Sequence, residues 1–111
     1  MASINSWKRL RNSCLKRIDC YMDIGKTARY AFMKGLELGG TTCDAGGEQR
    51  KAIKDHGATR TIFMFPDEFA LKRGDKIREI ATESYFTVED VRPVASADSF
   101  LYFEVTTQRD L

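Results

Sequence analysis

The C-terminal half of the chain constrains the fold most, because it is a succession of short alternating segments separated by turn residues. In "FLYFEVTT" (100–107), Leu101, Phe103 and Val105 alternate with Tyr102 and Glu104. A period of two is typical of a half-buried β-strand. Similar segments predict further strands at 58–65, 76–80 and 85–94, the last two paired, with a turn at 96–99. The fold must therefore contain several short, mainly antiparallel strands.

The first 24 residues have a helical rather than a strand period. Trp7, Leu10, Cys14, Ile18 and Met22 recur at steps of three or four, which predicts an amphipathic helical segment over 1–24. No apolar run approaches the roughly 20 residues that a membrane helix needs. No apolar region follows the basic N-terminus, so we expect no secretory signal.

Two stretches between this helix and the C-terminal strands differ in character. "TARYAFMKGLEL" (27–38) is aromatic and apolar, which predicts one or two strands with Tyr30 and Phe32 on one face. Residues 39–57 are polar and contain five glycines. They predict a long loop, in which "RKAIK" (50–54) could form a brief strand or turn. We expect this loop to be mobile and to become ordered on docking.

Together these elements predict a single domain over residues 1–111. The expected fold class is α+β, mainly β. It comprises the helical segment 1–24 and a small antiparallel β-barrel or sandwich over 27–107, with the long loop 39–57 inside it.

Charge is distributed unevenly along the chain. Residues 1–36 have a net charge of +6 and residues 37–111 a net charge of −4, which gives +2 overall. This asymmetry suits a protein that meets an acidic partner through its basic residues, although a solvated helix face is the alternative. The candidate interaction residues are Lys8, Arg9, Arg11, Lys16, Arg17, Arg50, Lys51 and Lys54.

Residues suited to catalysis or metal binding are sparse. His56 is the single histidine, and it lies beside Asp55 in the predicted loop, where we expect it to be exposed. Cys14, Cys20 and Cys43 have no zinc or redox spacing, so we expect reduced thiols. We therefore expect no enzyme activity, no cofactor and no bound metal.

The tripeptide Arg73-Gly74-Asp75 has two interpretations. As a sequence motif it is an adhesion signal, which would require an exported protein. As local chemistry it is a turn, because glycine accepts positive φ and aspartate can bond to nearby backbone. Its position just before the apolar strand residue Ile77 favours a turn that leads into a strand.

The order of elements from Thr61 to Val105 resembles the head-tail joining proteins of long-tailed bacteriophages, including the lambda-type head-tail attachment protein. The shared pattern is a strand, a polar "DE" turn, "L-x-R-G-D" leading into a strand, an aromatic strand "Y-F-x-V-x-x-V-x-P", a turn and a final "L-x-F" strand. The matching residues are Asp67, Glu68, Leu71, Arg73, Gly74, Asp75, Ile77, Tyr85, Phe86, Val88, Val91, Pro93, Leu101 and Phe103.

This resemblance implies a small β-barrel with a helical appendage and no catalytic site. It implies assembly in the host cytoplasm into a homo-oligomeric ring, a hexamer or dodecamer, in the neck of the virion. The ring would dock on the portal or adaptor after DNA packaging, help to retain the genome, and contact a tail terminator or tail tube. The basic N-terminal residues would contact an acidic neighbouring ring or packaged DNA in the channel.

Two other functions remain open at this stage. Basic residues interleaved with Trp7, Tyr21 and Tyr30 could make the chain a small barrel that binds single-stranded nucleic acid. A tail-terminator or tail-completion protein is close in class to a connector, and the sequence does not separate the two.

Overall fold

The computed structural model describes residues 24–96 and 98–111, together with Arg9, which is helical and exposed. The rest of the predicted helical segment 1–24, apart from Ile24, lies outside the described residues. From residue 24 onward, the described residues begin with helix α1 (Ile24–Gly39). Six strands follow it: β1 (Thr41–Ala45), β2 (Glu48–His56), β3 (Thr61–Phe65), β4 (Lys76–Glu79), β5 (Ser84–Ser96) and β6 (Ser99–Arg109). No helix among the described residues is long and apolar enough to cross a membrane.

The six strands form a closed antiparallel barrel in the order β1-β2-β3-β6-β5-β4. Two three-stranded meanders, β1–β3 and β4–β6, are joined where β3 pairs with β6 and β1 pairs with β4. The predicted mainly-β antiparallel barrel is therefore confirmed. The predicted pairing of 76–80 with 85–94 is also confirmed, with Ile77 opposite Phe86.

The predicted strand over 27–38 is wrong, because this segment belongs to helix α1. Ala28, Phe32 and Leu36 are buried at steps of four, which is the helical period. Tyr30 is 63% exposed, so it does not share a face with Phe32 as predicted. Aromatic and apolar density suggested a strand, but the spacing of the buried residues is that of a helix.

The predicted long loop over 39–57 is also wrong, because β1 and β2 form a hairpin there. Thr41 pairs with Ala52 and Ala45 with Glu48. Gly46 and Gly47 close the hairpin with φ of 62° and 81°, a conformation that glycine adopts at little cost. The hypothesis that this segment becomes ordered on docking assumed a loop, so it no longer has a basis.

The barrel interior is filled mainly by aromatic and small apolar side chains. Phe63, Phe65, Phe86 and Phe103 are at most 2% exposed, and small residues of β1 and β2, including Cys43, pack against them. The rings of Phe63 and Phe86 meet edge-on, with centroids 5.0 Å apart. Large rings from β3, β5 and β6 thus occupy the space that the small residues of β1 and β2 leave.

A second apolar layer lies on the outside of the barrel, beneath helix α1. Phe32 stacks on Tyr102 with centroids 5.3 Å apart, and Leu36, Ile53 and Met64 complete the layer. β3 pairs only with residues 103–107 of β6, so the outer part of the β5–β6 hairpin extends beyond the barrel as a two-stranded arm. Helix α1 holds the sheet edge of this arm through Arg29, whose Nη1 donates to the Leu101 carbonyl at 2.6 Å.

Candidate functional site

The inward-facing residues of strand β2 extend from one end of the barrel to the other. Because side chains alternate along a strand, Arg50, Ala52 and Lys54 share the inner side of β2. Ala52 is fully buried in the middle. Arg50 lies at the end that contains Phe69, which we call the Phe69 end. Lys54 lies at the opposite end, which contains Glu79 and which we call the Glu79 end.

The Glu79 end is closed by a buried carboxylate with three hydrogen bonds. Glu79 is 3% exposed. Lys54 Nζ donates to its Oε1 at 2.6 Å, and Thr82 Oγ1 donates to the same oxygen at 2.7 Å. Thr41 Oγ1 donates to Oε2 at 2.8 Å. The structure therefore places Lys54 in an internal ion pair that links β2 to β4.

Protonation equilibria at this end follow from burial and from these contacts. Burial alone would raise the pKa of Glu79, but the hydrogen bonds from Lys54, Thr82 and Thr41 outweigh it and hold the pKa below its usual value. Burial, with a smaller effect of the Glu79 and Asp44 charges, raises the pKa of the Cys43 thiol to about 12. Cys43 is therefore protonated at neutral pH and packs as a small apolar residue.

The Phe69 end is closed by an aromatic ring from the segment that connects β3 to β4. Phe69 packs edge-on against Phe65 and Phe103, with centroid distances of 4.9 and 5.2 Å. The Arg50 guanidinium lies over the Phe69 ring, 3.7 Å from its centroid. Gly46 approaches the same ring so closely that a Cβ there would lie 2.8 Å from it. These contacts thus hold the segment between β3 and β4 against this end of the barrel.

Arg50 is held in place by polar contacts as well as by the ring. Its Nε donates to the Ala45 carbonyl at 2.9 Å, and its Nη2 lies 3.0 Å from a carboxylate oxygen of Glu48. Glu48 itself is 70% exposed in its side chain. The guanidinium is therefore fixed in position before any partner arrives.

A shallow depression adjoins this end, between the strands β2 and β3, and we call it the β2–β3 depression. It is lined by Arg50, Lys51, Phe65, Pro66 and Asp67. Its volume of about 160 Å³ is below the roughly 300–1,000 Å³ of most small-molecule sites. The depression therefore suits one side chain better than a whole cofactor.

A second arginine borders the depression through Asp67. Arg29 Nη2 lies 4.0 Å from a carboxylate oxygen of Asp67, whose side chain is 82% exposed. Arg29 also lies over the rings of Phe32 and Phe100, at 5.8 and 5.4 Å from their centroids. The aromatic contacts and its bond to the arm fix Arg29, whereas Asp67 is loosely held.

The candidate interaction residues separate into four groups. Arg50 and Lys51 meet at the β2–β3 depression, whereas Lys54 is turned into the Glu79 end. Arg9 is exposed. The remaining candidates, Lys8, Arg11, Lys16 and Arg17, lie outside the described residues.

The Arg73-Gly74-Asp75 stretch is a turn, as predicted. Gly74 has φ of 94°, and the Asp75 amide donates to the Lys72 carbonyl at 3.0 Å. An oxygen of the Asp75 carboxylate accepts from the Lys72 amide at 3.0 Å. The Gly74 amide then donates to the Val88 carbonyl at 2.8 Å, which aligns β4 with β5.

The other candidate polar residues are exposed. Asp67 and Glu68 lie on the surface of the segment that follows β3. His56 is exposed at the end of β2, as expected, with Nδ1 3.3 Å from Thr61 Oγ1. Among residues 24–96 and 98–111, no group of three or more histidine, cysteine or acidic side chains is placed to hold a metal ion.

Most other cations of the barrel are paired with acids. Arg60 pairs with Glu89, Lys76 with Asp110, Arg78 with Asp44, and Arg92 with Glu104. Residues 24–111 contain 13 basic and 14 acidic side chains. Positive charge on this part of the chain is therefore local rather than a continuous stripe.

The sequence did not indicate the roles of Phe69 and Arg29. Phe69 lies in a polar turn, and only the fold brings it to Phe65, Phe103 and Arg50. Arg29 contacts residues some 40 and 70 positions away. The one signal available was the isolated aromatic of "PDEFAL", since a phenylalanine in a polar segment usually packs somewhere.

Comparisons with known proteins gave no relative for this chain. No protein-family model, no curated protein and no solved structure matches it.

Proposed function

We propose that this protein is a structural subunit of the neck of a tailed phage, a head-tail connector or stopper ring. The observation that carries the proposal is the placement of residues 61–105. These are the residues that resemble head-tail joining proteins, and they form β3 to β5 and most of β6 of a closed barrel, with the Arg73-Gly74-Asp75 turn leading into β4.

The surface of the barrel is compatible with a subunit that is soluble before it assembles. A closed barrel has no free strand edges around its circumference, so it does not associate by uncontrolled strand pairing. Assembly contacts must then come from elsewhere. Tyr30, Met33 and Leu38 of α1 are exposed, at 63%, 40% and 58%, and they are the apolar side chains of this helix that a partner could cover.

In this proposal the partners are further copies of the chain in a hexameric or dodecameric ring, the portal or adaptor ring, and a tail terminator or tail tube. The ring docks after DNA packaging, helps to retain DNA, and provides the platform for tail attachment. The basic N-terminal residues face an acidic neighbouring ring or the packaged DNA.

Nucleic-acid binding by an isolated barrel is the main alternative, and one observation favours it. Tyr30 is exposed, and Lys34 Nζ lies 5.9 Å from its ring centroid, a combination that could stack on a base. Such a binder should show salt-dependent affinity for short oligonucleotides. A connector subunit should show little affinity for them and should associate with virion proteins.

Deletion of the reading frame from the genome that encodes it, followed by electron microscopy of the lysate, tests the proposal. We expect separate tails beside tailless heads, and addition of the purified protein should restore infectivity. Leaky or empty heads would add a role in DNA retention. Defective tails beside filled heads would move the protein to tail completion. Intact, infectious particles, or no particles from the undeleted genome, would overturn the proposal.

Charge reversal tests the role of the basic N-terminal segment. The double variant Arg9→Glu/Arg11→Glu should fail to restore joining in the deletion lysate, because it replaces attraction to an acidic partner with repulsion. Lys72→Glu is the matched control, since Lys72 is exposed in the turn before β4 and is not one of the matching residues, so it should still restore joining. Normal joining by the double variant would exclude a role for these charges.

A further inference from the structure

We propose that the β2–β3 depression is a carboxylate-binding site that receives an acidic side chain from an extended segment of another protein. The inference rests on the depression alone and not on the connector proposal, so the two can fail separately. It goes beyond the general prediction of basic contacts, because it names one site, the groups that form it and the chemistry of its ligand.

The first argument is the preorganisation of Arg50. Its guanidinium is fixed by the Phe69 ring, the Ala45 carbonyl and Glu48. A planar guanidinium that is already oriented loses little conformational entropy when it binds a carboxylate. Charge-assisted hydrogen bonds of this kind are about twice as strong as neutral ones.

The second argument is the uncompensated charge of Lys51. Lys51 is exposed beside Arg50, and among the described residues its ammonium has no acidic partner within 4 Å. Its aliphatic carbons pack near Gly40, which anchors the stem, and Lys51 also lines the depression. A ligand carboxylate would therefore meet one fixed and one adjustable cation.

The third argument is that the carboxylates already beside the site are weakly held: Glu48, 3.0 Å from Arg50 Nη2, has its side chain 70% exposed. Asp67 is the single acidic residue that lines the depression, and it lies 4.0 Å from Arg29 with its side chain 82% exposed. An ion pair this exposed contributes little to stability. An incoming carboxylate can therefore displace Asp67 at small cost, and Pro66 offers apolar contact to the carbons of the same side chain.

The local character of the charge favours a protein segment over a nucleic acid. A nucleic-acid strand needs a basic groove that follows several phosphates, with aromatic platforms along it. Four other cations of the barrel, Arg60, Lys76, Arg78 and Arg92, are instead paired with acids. A depression of about 160 Å³ accepts one carboxylate and its short stem.

Titration of the full chain, labelled with ¹⁵N, by acetyl-Gly-Glu-Glu-Gly-amide tests the site by NMR. We expect saturable shifts at the amides of Lys51, Phe65 and Asp67 and at Arg50 Nε, which weaken as salt is added. Acetyl-Gly-Gln-Gln-Gly-amide should give none of them. Equal shifts with both peptides, or shifts spread evenly over the surface, would overturn the proposal.

Three variants sharpen the test. Lys51→Glu should weaken binding at least fivefold, whereas Lys72→Glu, an exposed lysine in the turn before β4, should leave the affinity within twofold of the original. Asp67→Asn should tighten binding severalfold by removal of the competing carboxylate, a gain that unfolding cannot mimic. Equal losses in both lysine variants, or no gain in Asp67→Asn, would contradict the site. If a thymidine oligonucleotide bound at the same residues more tightly than the acidic peptide, the site would be assigned to nucleic acid.

Discussion

At the Phe69 end, a cation of β2 stacks on an aromatic ring, whereas at the Glu79 end another cation of the same strand forms a buried ion pair. Arg50 lies 3.7 Å from the centroid of Phe69, and Lys54 Nζ lies 2.6 Å from Glu79 Oε1. The aromatic closure depends on shape and apolar burial, which do not change with protonation. The ion pair depends on two charges that must be present together.

This difference suggests different roles for the two ends. The Glu79 end ties β1, β2 and β4 together through one carboxylate, in the region where β1 and β4 close the barrel. The Phe69 end adjoins the β2–β3 depression, where the proposed carboxylate contact lies. We therefore expect changes at the Glu79 end to act on folding, and changes around Arg50 and Lys51 to act on binding.

The largest expected effect comes from breaking the ion pair on one side. Lys54→Met leaves the Glu79 carboxylate buried without its cation, which should lower the free energy of unfolding by about 3 kcal/mol at pH 7. Urea unfolding followed by circular dichroism measures the change. Lys54→Met/Glu79→Met should regain most of the loss, because apolar residues can replace a buried pair. Equal losses in both variants would show that the pair is not what closes this end.

The next effect concerns the aromatic closure. Phe69→Ala should lower the free energy of unfolding by about 2 kcal/mol, less than for a fully buried phenylalanine, because Phe69 is only partly buried. Phe69→Leu should lose less, since it keeps much of the apolar contact. The loss measured by urea unfolding should be the same at pH 7 and pH 4. A loss that depended on pH would contradict an apolar closure.

A glycine pair tests how firmly Phe69 is held. Gly46→Ala and Gly47→Ala both place a side chain at positive φ, which costs about 1 kcal/mol. Only at Gly46 would the new Cβ meet the Phe69 ring, whereas at Gly47 nothing lies within 4 Å. In thermal unfolding, we expect Gly46→Ala to lose about 1 kcal/mol more of the free energy of unfolding than Gly47→Ala does. Equal stabilities would mean that the Phe69 segment moves aside freely.

The smallest effect is the acid dependence of the Glu79 end. The pKa of Glu79 is lower in the folded chain than in the unfolded chain, so its stabilisation is present above about pH 4.3 and is lost as pH falls through the lower folded value. Glu79→Gln should flatten this part of a urea-unfolding profile between pH 6 and pH 2. An unchanged profile would contradict the assignment.

Asp110 also contributes to the pH dependence of stability in this acid range, so its contribution must be separated from that of Glu79. Hydrogen bonds from Lys76 and Thr87 hold the pKa of Asp110 below its usual value, but this carboxylate is far more exposed than Glu79. Added salt should therefore shrink the Asp110 contribution more than the Glu79 contribution. Asp110→Asn provides the matched control.

The sequence predicted β3 to β6 because large apolar residues are concentrated there, consecutively in β3 and in alternation along β6. It did not predict α1, since aromatic density over 27–38 suggested a strand although Ala28, Phe32 and Leu36 recur at steps of four. It did not predict β1 and β2 as a hairpin because their buried residues, apart from Ile53, are small. The inward cations Arg50 and Lys54 also gave the hairpin the polarity of a loop.

The candidate site was predictable only in part. Charge alone indicated Arg50 and Lys51, but their separation from Lys54 follows from strand alternation, which requires β2 to be known. Phe69 reaches Arg50 through contacts between segments that are distant along the chain. No local pattern encodes such contacts, so they emerge only when the barrel closes.

Immunogold electron microscopy of purified particles, with an antibody raised against this protein, tests the central claim most directly. The connector account predicts label at the junction of head and tail, and none on particles from the deletion strain. Label along the tail or on the head surface would contradict that account. So would the absence of the protein from purified particles.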